Sequence, residues 1–499
     1  MWIMSPLLLL LLGLLPLLLL LLRGRNRRDG EPPLVKGWIP FIGKALEFGK
    51  DAHKFLEEHK KKFGDVFTVK IAGKYMTFVM DPLLYPSIVK HGKQLDFHEF
   101  SNKVAPYTFG YPPVNNQSFP GLRKQVQRSF HLLQGDSLTP LTESMMGNLM
   151  LVFRQDHLGQ DGGWRSGSMY DFCHSVMFEA TLLTMYGRPP AGRRHGGLDA
   201  LRDDFISFDN KFPLLIAQIP IWLLGRTKAV RDKLIRFFLP VSCWSNMSQF
   251  IRRRAEMFEQ YDALRDVDKA AHHFAILWAS VGNTVPATFW ALYHLVSHPA
   301  ALQAVRQEIQ DVLQQDGVGW NRDGDVTLSR QQLERLLYLE SAIRESLRLS
   351  SASMNIRVAQ EDFSLRLDGE RSVAVRKGDF IALYPQSMHL DPEVYEEPQT
   401  FRFDRYTQDG QQKTDFYKNG QKLRYYLMPF GSGSTKCPGR HFALNEIKQF
   451  VSLLLLYFDL QLEDGQPRAS LDPSRAGLGI LLPNVDVRFR YRLRTQQLD

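Results

Sequence analysis

Cysteine is scarce in this 499-residue chain: Cys173, Cys243 and Cys437 are the three present. Odd in number and widely spaced, they argue against a disulfide framework and suit a reducing compartment. Metal-ligand spacing is also missing around Cys437. His441 is the one nearby candidate and has no companions, which disfavours zinc. No basic residue precedes the apolar run 2–22 and no small-residue cleavage site ends it. A cleaved signal peptide has both, so an uncleaved anchor is the reading.

What is present is apolar and basic. The chain is 44% hydrophobic and 12% aromatic with 33 Phe, and its net charge is +9. That content supports a large core, and the charge suits anionic headgroups or an acidic partner as well as simple solubility. At ~1.5 Å per residue, the run 2–22 is long enough for a bilayer's hydrocarbon layer. Arg23, Arg25, Arg27 and Arg28 follow it and hold the bulk of the chain on the cytosolic side. Residues 1–22 are therefore read as a transmembrane signal anchor, which leaves the sequons at Asn116 and Asn246 unused. Residues 23–43 read as a basic, proline-rich stiff linker.

Beyond the linker, the pattern predicts a helix over 52–63 and strands over 66–71 and 75–80, with Gly73-Lys74 as their turn. Helices and loops follow. An apolar tract runs from Phe205 to Leu224, of the kind that core packing most commonly explains, and Arg252-Arg253-Arg254 reads as a solvated face. A long helix is predicted over 270–296, bent by Pro286, with His272 and His273 as ordinary helix residues. Another is predicted over 333–349, where Glu345 and Arg348 share a face.

The stretch from Phe430 to Arg440 carries the strongest chemical signal. A Gly- and Ser-rich loop leads to Cys437, then Pro438-Gly439 and a helical pattern. This presents a sulfur at a helix start, where backbone N–H groups favour a thiolate. A lone cysteine is more commonly a small core hydrophobe, and a nucleophilic cysteine, which needs a histidine and an orienting group, stays open.

The pattern Phe-x-x-Gly-x-x-x-Cys-x-Gly, Phe430 to Gly439, resembles the haem-binding loop of the cytochrome P-450 family. Glu345-Ser346-Leu347-Arg348 is similar to that family's ExxR, and Phe401 to Tyr406 to the segment that supplies its second arginine. The resemblance implies a mainly α fold with small β-sheets, forming one catalytic unit over 44–499, and it makes the tract from Phe205 to Leu224 as compatible with a substrate-entry roof that dips into the membrane as with core packing. It implies haem b with Cys437 as axial iron ligand, Phe430 and Gly439 in the cofactor loop, and Arg357 on a propionate. Thr435 stands where the family commonly has Arg or His, which shifts propionate binding toward Arg357 and Lys436. Glu345, Arg348 and Arg405 would form a buried structural network. The implied co-substrates are O2 and NADPH, through NADPH–cytochrome P-450 reductase, at the endoplasmic reticulum membrane.

One family feature is missing. The central helix usually carries an acid followed by threonine, and here Gly282-Asn283 or Asn283-Thr284 stands in their place. Neither register supplies a carboxylate. Asn283 and Thr284 remain the catalytic candidates, and a haem-thiolate isomerase of the prostacyclin-synthase kind remains an alternative. Within the superfamily, Leu349 to Arg357, Ile381 to Pro385 and Ser474 to Ile480 resemble the sterol 7α-hydroxylases of the cholesterol branch. Leu201 to Phe205, Ile219 to Ile221, His272-His273 and Ser434 to Arg440 lean to the oxysterol branch. That implies 7α-hydroxylation of oxysterols such as 25- or 27-hydroxycholesterol in bile acid and sterol metabolism, with cholesterol as the alternative. Trp278, Asn283, Ser353, Asn355 and Leu478 would contact the substrate.

Overall fold

The computed structural model describes residues 15, 24–37, 39, 42–158, 163–188, 197–241, 244–318 and 324–494. The expected anchor lies outside them apart from Leu15, as does Cys243. Among the described residues no helix is long and apolar enough to cross a membrane.

Short runs of buried residues, such as Phe67 to Lys70 and Phe380 to Leu383, build one six-stranded sheet from four N-terminal strands and two later ones. In chain order its strands are β1 (Leu34–Val35), β2 (Val66–Ile71), β3 (Lys74–Val79), β4 (Leu95–Asp96), and, after β5 (Arg165–Ser168) of another sheet, β6 (Asn355–Ala359) and β7 (Phe380–Leu383). Their spatial order is β1-β2-β3-β7-β6-β4. The β2–β3 hairpin turns at Ala72-Gly73, one residue earlier than predicted, because Ile71 pairs with Lys74. Both turn residues have positive φ, 46° and 77°, as a two-residue turn between twisted strands requires. The segment read as a linker contributes β1, which pairs in parallel with β2. Arg25 donates to the Asp379 carboxylate at 2.5 Å and Glu31 pairs with Arg376, so described residues of this segment are tied to the sheet. A three-stranded antiparallel sheet joins β5 to β8 (Phe458–Leu462) through β9 (Arg488–Leu493).

The helices form the bulk of the core. α1 (Ala52–Phe63) has the predicted bounds; Asp51 caps it by accepting from Lys54 N, and Gly64 ends it with φ 85°. After it come α2 (Phe97–Phe109), α3 (Leu138–Phe153) and α4 (Met169–Tyr186), then α5 (Leu198–Asp209) and the short α6 (Phe212–Ile216). The apolar tract divides here. Phe205, Phe208, Phe212 and Leu215 are buried, whereas Leu214, Ile219, Trp222 and Leu223 are exposed.

In α7 (Gln249–Glu259) the arginine run divides too, against expectation. Arg252 and Arg253 are exposed, but Arg254 is buried with its guanidinium 5.3–5.6 Å from the ring centres of Phe130, Phe250 and Phe258. The three rings and the Ser129 hydroxyl, 3.2 Å from Nη1, compensate a charge that solvent does not reach.

The predicted central helix is two helices, α8 (Asp266–Val281) and α9 (Thr284–Ser297), broken at Gly282-Asn283. Pro286 explains the position. It has no N–H for the carbonyl four residues earlier, that of Gly282, and its ring crowds that oxygen. The predicted 333–349 helix likewise begins as a separate turn, Arg330–Arg335, followed by α10 (Leu337–Ser350). The last helix, α11 (Arg440–Tyr457), is buried from Asn445 to Tyr457. Leu453 to Leu456 are all fully buried, each contributing about 1.5–3 kcal/mol as an upper estimate. The helix that starts beside Cys437 is thus an axis of the core.

Candidate active site

Cys437 sits between a short 3₁₀ turn, Gly433–Thr435, and the start of α11. Its N–H donates to Phe430 O at 2.8 Å, which closes the loop on itself. Cys437 is half-buried. Burial pushes the thiol up, while backbone N–H groups of Gly439 and Arg440 and the Arg440 guanidinium act in the opposite direction. The donors expected from a helix start are therefore present, but in the protein alone burial outweighs them. Gly433 is required sterically: its φ is 62°, and an added Cβ would lie 2.5 Å from Val89 Cγ1.

A buried charged network holds the support behind this loop. Arg348 donates from Nη2 and Nε to the two oxygens of Glu345 at 2.7 and 2.8 Å. Arg405, on the segment after Phe401, donates from Nε to Glu345 Oε1 at 2.8 Å. All three side chains are almost fully removed from solvent. Remaining guanidinium hydrogens go to the carbonyls of His389, Pro398, Glu396 and Thr400. His389 links the network onward, because its Nε2 accepts from Met428 N at 3.1 Å, just before the cofactor loop. Burial lowers the His389 pKa to about 3, which keeps that nitrogen an acceptor. The histidine was not singled out in the sequence; a residue 41 positions from Arg348 gives no local signal.

Arg357 on β6 reaches the same loop. Its Nη2 lies 3.3 Å from the hydroxyls of Ser432 and Thr435, and it is buried. No carboxylate lies within ion-pair distance of it among the described residues, and burial lowers its pKa. A buried guanidinium without an anion, beside a reachable cysteine sulfur with N–H groups aimed at it, fits a group that brings a metal and carboxylates. The residues present therefore fit the implied haem. Lys436, exposed next to Cys437, adds a second cation there.

The helix break gathers the catalytic candidates. Asn283 precedes α9, and its Oδ1 accepts from Ile480 N at 3.0 Å. Thr284 is buried and its hydroxyl acts on Glu446 of α11. The Glu446 carboxyl also accepts from Thr181 Oγ1 of α4 at 3.1 Å. Burial pushes Glu446 up to about 8, against these two hydrogen bonds. The helix break lacks an acid, yet a carboxyl from another helix stands beside its Thr284. Glu446 was missed because it lies inside an apolar helical run, where one charge reads as tolerated rather than placed.

The turn after Pro473–Arg475 brings the substrate candidates together. Ala352 N donates to Gly479 O at 2.9 Å and Gly477 N to Ala352 O at 2.8 Å, so the turn runs beside Ser351–Ser353. Leu478 is half-buried on it. Ser353 and Asn355 face the cofactor loop: Ser353 Oγ lies 3.4 Å from Met428 O, and Asn355 Oδ1 accepts from Ser432 Oγ at 3.1 Å. Trp278 is part of an aromatic wall, with Phe212 stacked on it at 3.8 Å and Phe109 at 5.7 Å. Its indole N–H is committed to Asp209, so it offers a ring surface rather than a donor. One residue on, Ala279 is exposed between buried Leu277 and Val281, so α8 borders open space there.

Comparison with known proteins follows the same lines. The family model described as Cytochrome P450 matches residues 32–489. "Cytochrome P450 7B1" of Mus musculus is 42% identical over 479 residues, covering 96% of this chain and 94% of the relative. "Cholesterol 7-alpha-monooxygenase" of Cricetulus griseus is 43% identical over 481 residues, covering 94% and 95%. "25-hydroxycholesterol 7-alpha-hydroxylase" of Rattus norvegicus is 41% identical over 415 residues, covering 83% and 99%.

Proposed function

The chain belongs to the cytochrome P450 family, and from that membership we propose that it is a haem-thiolate monooxygenase that 7α-hydroxylates a sterol, preferentially an oxysterol such as 25- or 27-hydroxycholesterol. The observation that carries the reading is the cofactor loop, where a half-buried cysteine and an anion-free buried arginine converge. Relatives named for 7α-hydroxylation of cholesterol and of 25-hydroxycholesterol, similar over most of the chain, support the substrate class.

In this reading Cys437 would ligate haem iron, Arg357 and Lys436 would take its propionates, and Phe430 and Gly439 would belong to the same cradle. Bound there, haem supplies the oxygen activation that hydroxylating an unactivated C–H bond needs. One O2, one NADPH and one proton yield one hydroxyl and one water, with electrons delivered by NADPH–cytochrome P-450 reductase. The Glu345–Arg348–Arg405 network fixes the loop's backing. Glu446 holds a proton at its carboxyl near neutral pH and passes it to the Thr284 hydroxyl, which releases its own toward the helix break. Asn283, its oxygen held by Ile480, offers its amide hydrogens there. The aromatic wall around Trp278 and the Leu478 turn receive a flat apolar ring system. Residues 1–22 anchor the chain in the endoplasmic reticulum membrane, and residues 23–43 lead to a cytosolic catalytic unit over 44–499.

The test is reconstitution with the reductase and NADPH against cholesterol, 25-hydroxycholesterol, 27-hydroxycholesterol and 7α-hydroxy-4-cholesten-3-one, with products read by mass spectrometry. A 7α-hydroxy product, mainly from the side-chain oxysterols, is expected. A preference for cholesterol moves the chain to the other branch. The lack of a carboxylate at the helix break, Gly282 to Thr284, favours a second reading, a haem-thiolate isomerase; turnover of a prostaglandin endoperoxide without NADPH, and of no sterol, would establish it instead.

A further inference from the structure

Asp209 closes α5 with its side chain buried, and each of its three oxygens has a partner. Oδ1 accepts from Trp278 Nε1 at 2.8 Å. Oδ2 pairs with Arg475 Nη2 at 2.9 Å, and the Asp209 carbonyl accepts from Arg475 Nη1 at 2.9 Å. The two charged side chains are only 7% and 11% exposed. Burying such a pair carries a desolvation cost that apolar residues of similar volume avoid, so its presence asks for a role beyond stability.

The position of the pair indicates that role. Trp278, on the last turn of α8, and Asn283, at the helix break, are five residues apart. Arg475 and Ile480 are five residues apart on the last turn. Arg475 is tied to Trp278 through Asp209, and Ile480 is tied directly to Asn283. The turn is therefore stitched to the helix at both ends, and its far edge is hydrogen-bonded along Ser350–Ser353. Between the two stitches it carries Leu478, with glycine on either side. The same carboxylate fixes the indole that Phe212 stacks on, so α5, α6, the central helix and the turn share one buried joint. Arg475 also keeps one buried N–H, at Nε, without an acceptor.

We infer that Asp209 and Arg475 are positioning residues that determine specificity: their ion pair locks Trp278 and Leu478 as opposing walls for the substrate and so sets which carbon is presented. The inference rests on the sterol reading above. Neither residue needs to touch the reacting atoms. With the joint intact, Trp278 cannot turn its indole N–H to the ligand, and the wall stays apolar. With the charge removed, the ring and the turn lose their common anchor, and a rigid sterol is free to bind in more than one orientation.

The full-length protein and its D209N, R475Q, D209N/R475Q and W278F variants test this with two readouts besides rate. These are the spin-state titration with 25-hydroxycholesterol and cholesterol, and the ratio of hydroxylated positional isomers. The reduced-CO spectrum reports the haem–thiolate bond in each. D209N and R475Q are each expected to weaken sterol binding by about ten-fold and to spread hydroxylation over more than one carbon, and the double variant to do no worse than either alone. Wild-type binding and a single wild-type product from D209N and R475Q would overturn the inference. If those variants lose the haem–thiolate spectrum, W278F, which deletes one hydrogen bond and no charge, decides it: an unchanged isomer ratio overturns it and a broadened one supports it. Wild-type protein that responds to no sterol overturns the substrate reading and this inference with it, whereas wild-type turnover with unaltered variants overturns this inference alone.

Discussion

Asn283 Oδ1 stands against Gly479 where no side chain fits: a Cβ added at Gly479 would lie 2.1 Å from that oxygen, and the φ of Gly479 is 131°. The contact explains why the last turn lies so close to the helix break. Gly479→Ala introduces both a clash and an unfavourable backbone, each on the order of 1–3 kcal/mol. Thermal unfolding should show a lowered Tm, and sterol hydroxylation should fall by at least ten-fold, about 1.4 kcal/mol. Asn283→Ala in the same background should recover part of the lost stability. A Gly479→Ala protein with wild-type Tm and turnover would contradict the fit.

Glu345 joins Arg348 and Arg405 without solvent access. Replacing Arg405 by Leu removes one partner and leaves the carboxylate under-compensated, at a cost of roughly 3–5 kcal/mol. The expected result is a poorly folded protein that retains little haem, read by Tm and the reduced-CO spectrum. Exposed pairs such as Arg253–Glu256 should move Tm little.

Arg357 is a buried cation without a described carboxylate partner, so its loss should act differently. Arg357→Gln keeps a donor for the Ser432 and Thr435 hydroxyls while removing an isolated charge. The haem-free protein should be as stable as wild type or more so, while haem release, followed by transfer to an acceptor protein, should accelerate. Equal haem retention would remove Arg357 from the proposed cofactor site.

Glu446, pushed up to about 8 by burial, binds a proton in the folded state that the unfolded chain releases near 4.5. Between those values folding takes up a proton, so stability falls as pH rises through that window and levels off above it. The slope approaches about 1.4 kcal/mol per pH unit for one proton. Glu446→Gln abolishes that contribution, so the Tm difference between variant and wild type should grow from pH 5 to 8. Parallel Tm–pH curves would refute the buried, protonated state. If the carboxyl also feeds Thr284, the variant should consume NADPH with less sterol product and more hydrogen peroxide.

Much of this architecture was legible before folding was considered. Helix 52–63 announced itself by its apolar spacing, and the Cys437 loop by glycines, a proline and a following helical pattern. Glu345 and Arg348 were readable as a pair because three residues along a helix place them on one face. The hairpin turn moved by one residue because pairing register settles which glycine-containing dipeptide turns, and periodicity tolerates either. Arg254 was misread because a run of like charges hides the member that a helix rotates inward onto aromatic rings.

What sequence determined by itself is chemistry carried by neighbours: the presented cysteine, the i,i+3 ion pair, and the proline that denies Gly282 its hydrogen bond. What only the tertiary structure decided is chemistry assembled across the chain: Arg405 on Glu345 from 60 residues away, Asn283 on Ile480 from 197, and Asp209 on Arg475 from 266. The physical reason is the range of the signals. Backbone periodicity and capping act within a few residues. A buried charge or amide is satisfied by whatever packing brings near it, and that partner has no fixed spacing along the chain.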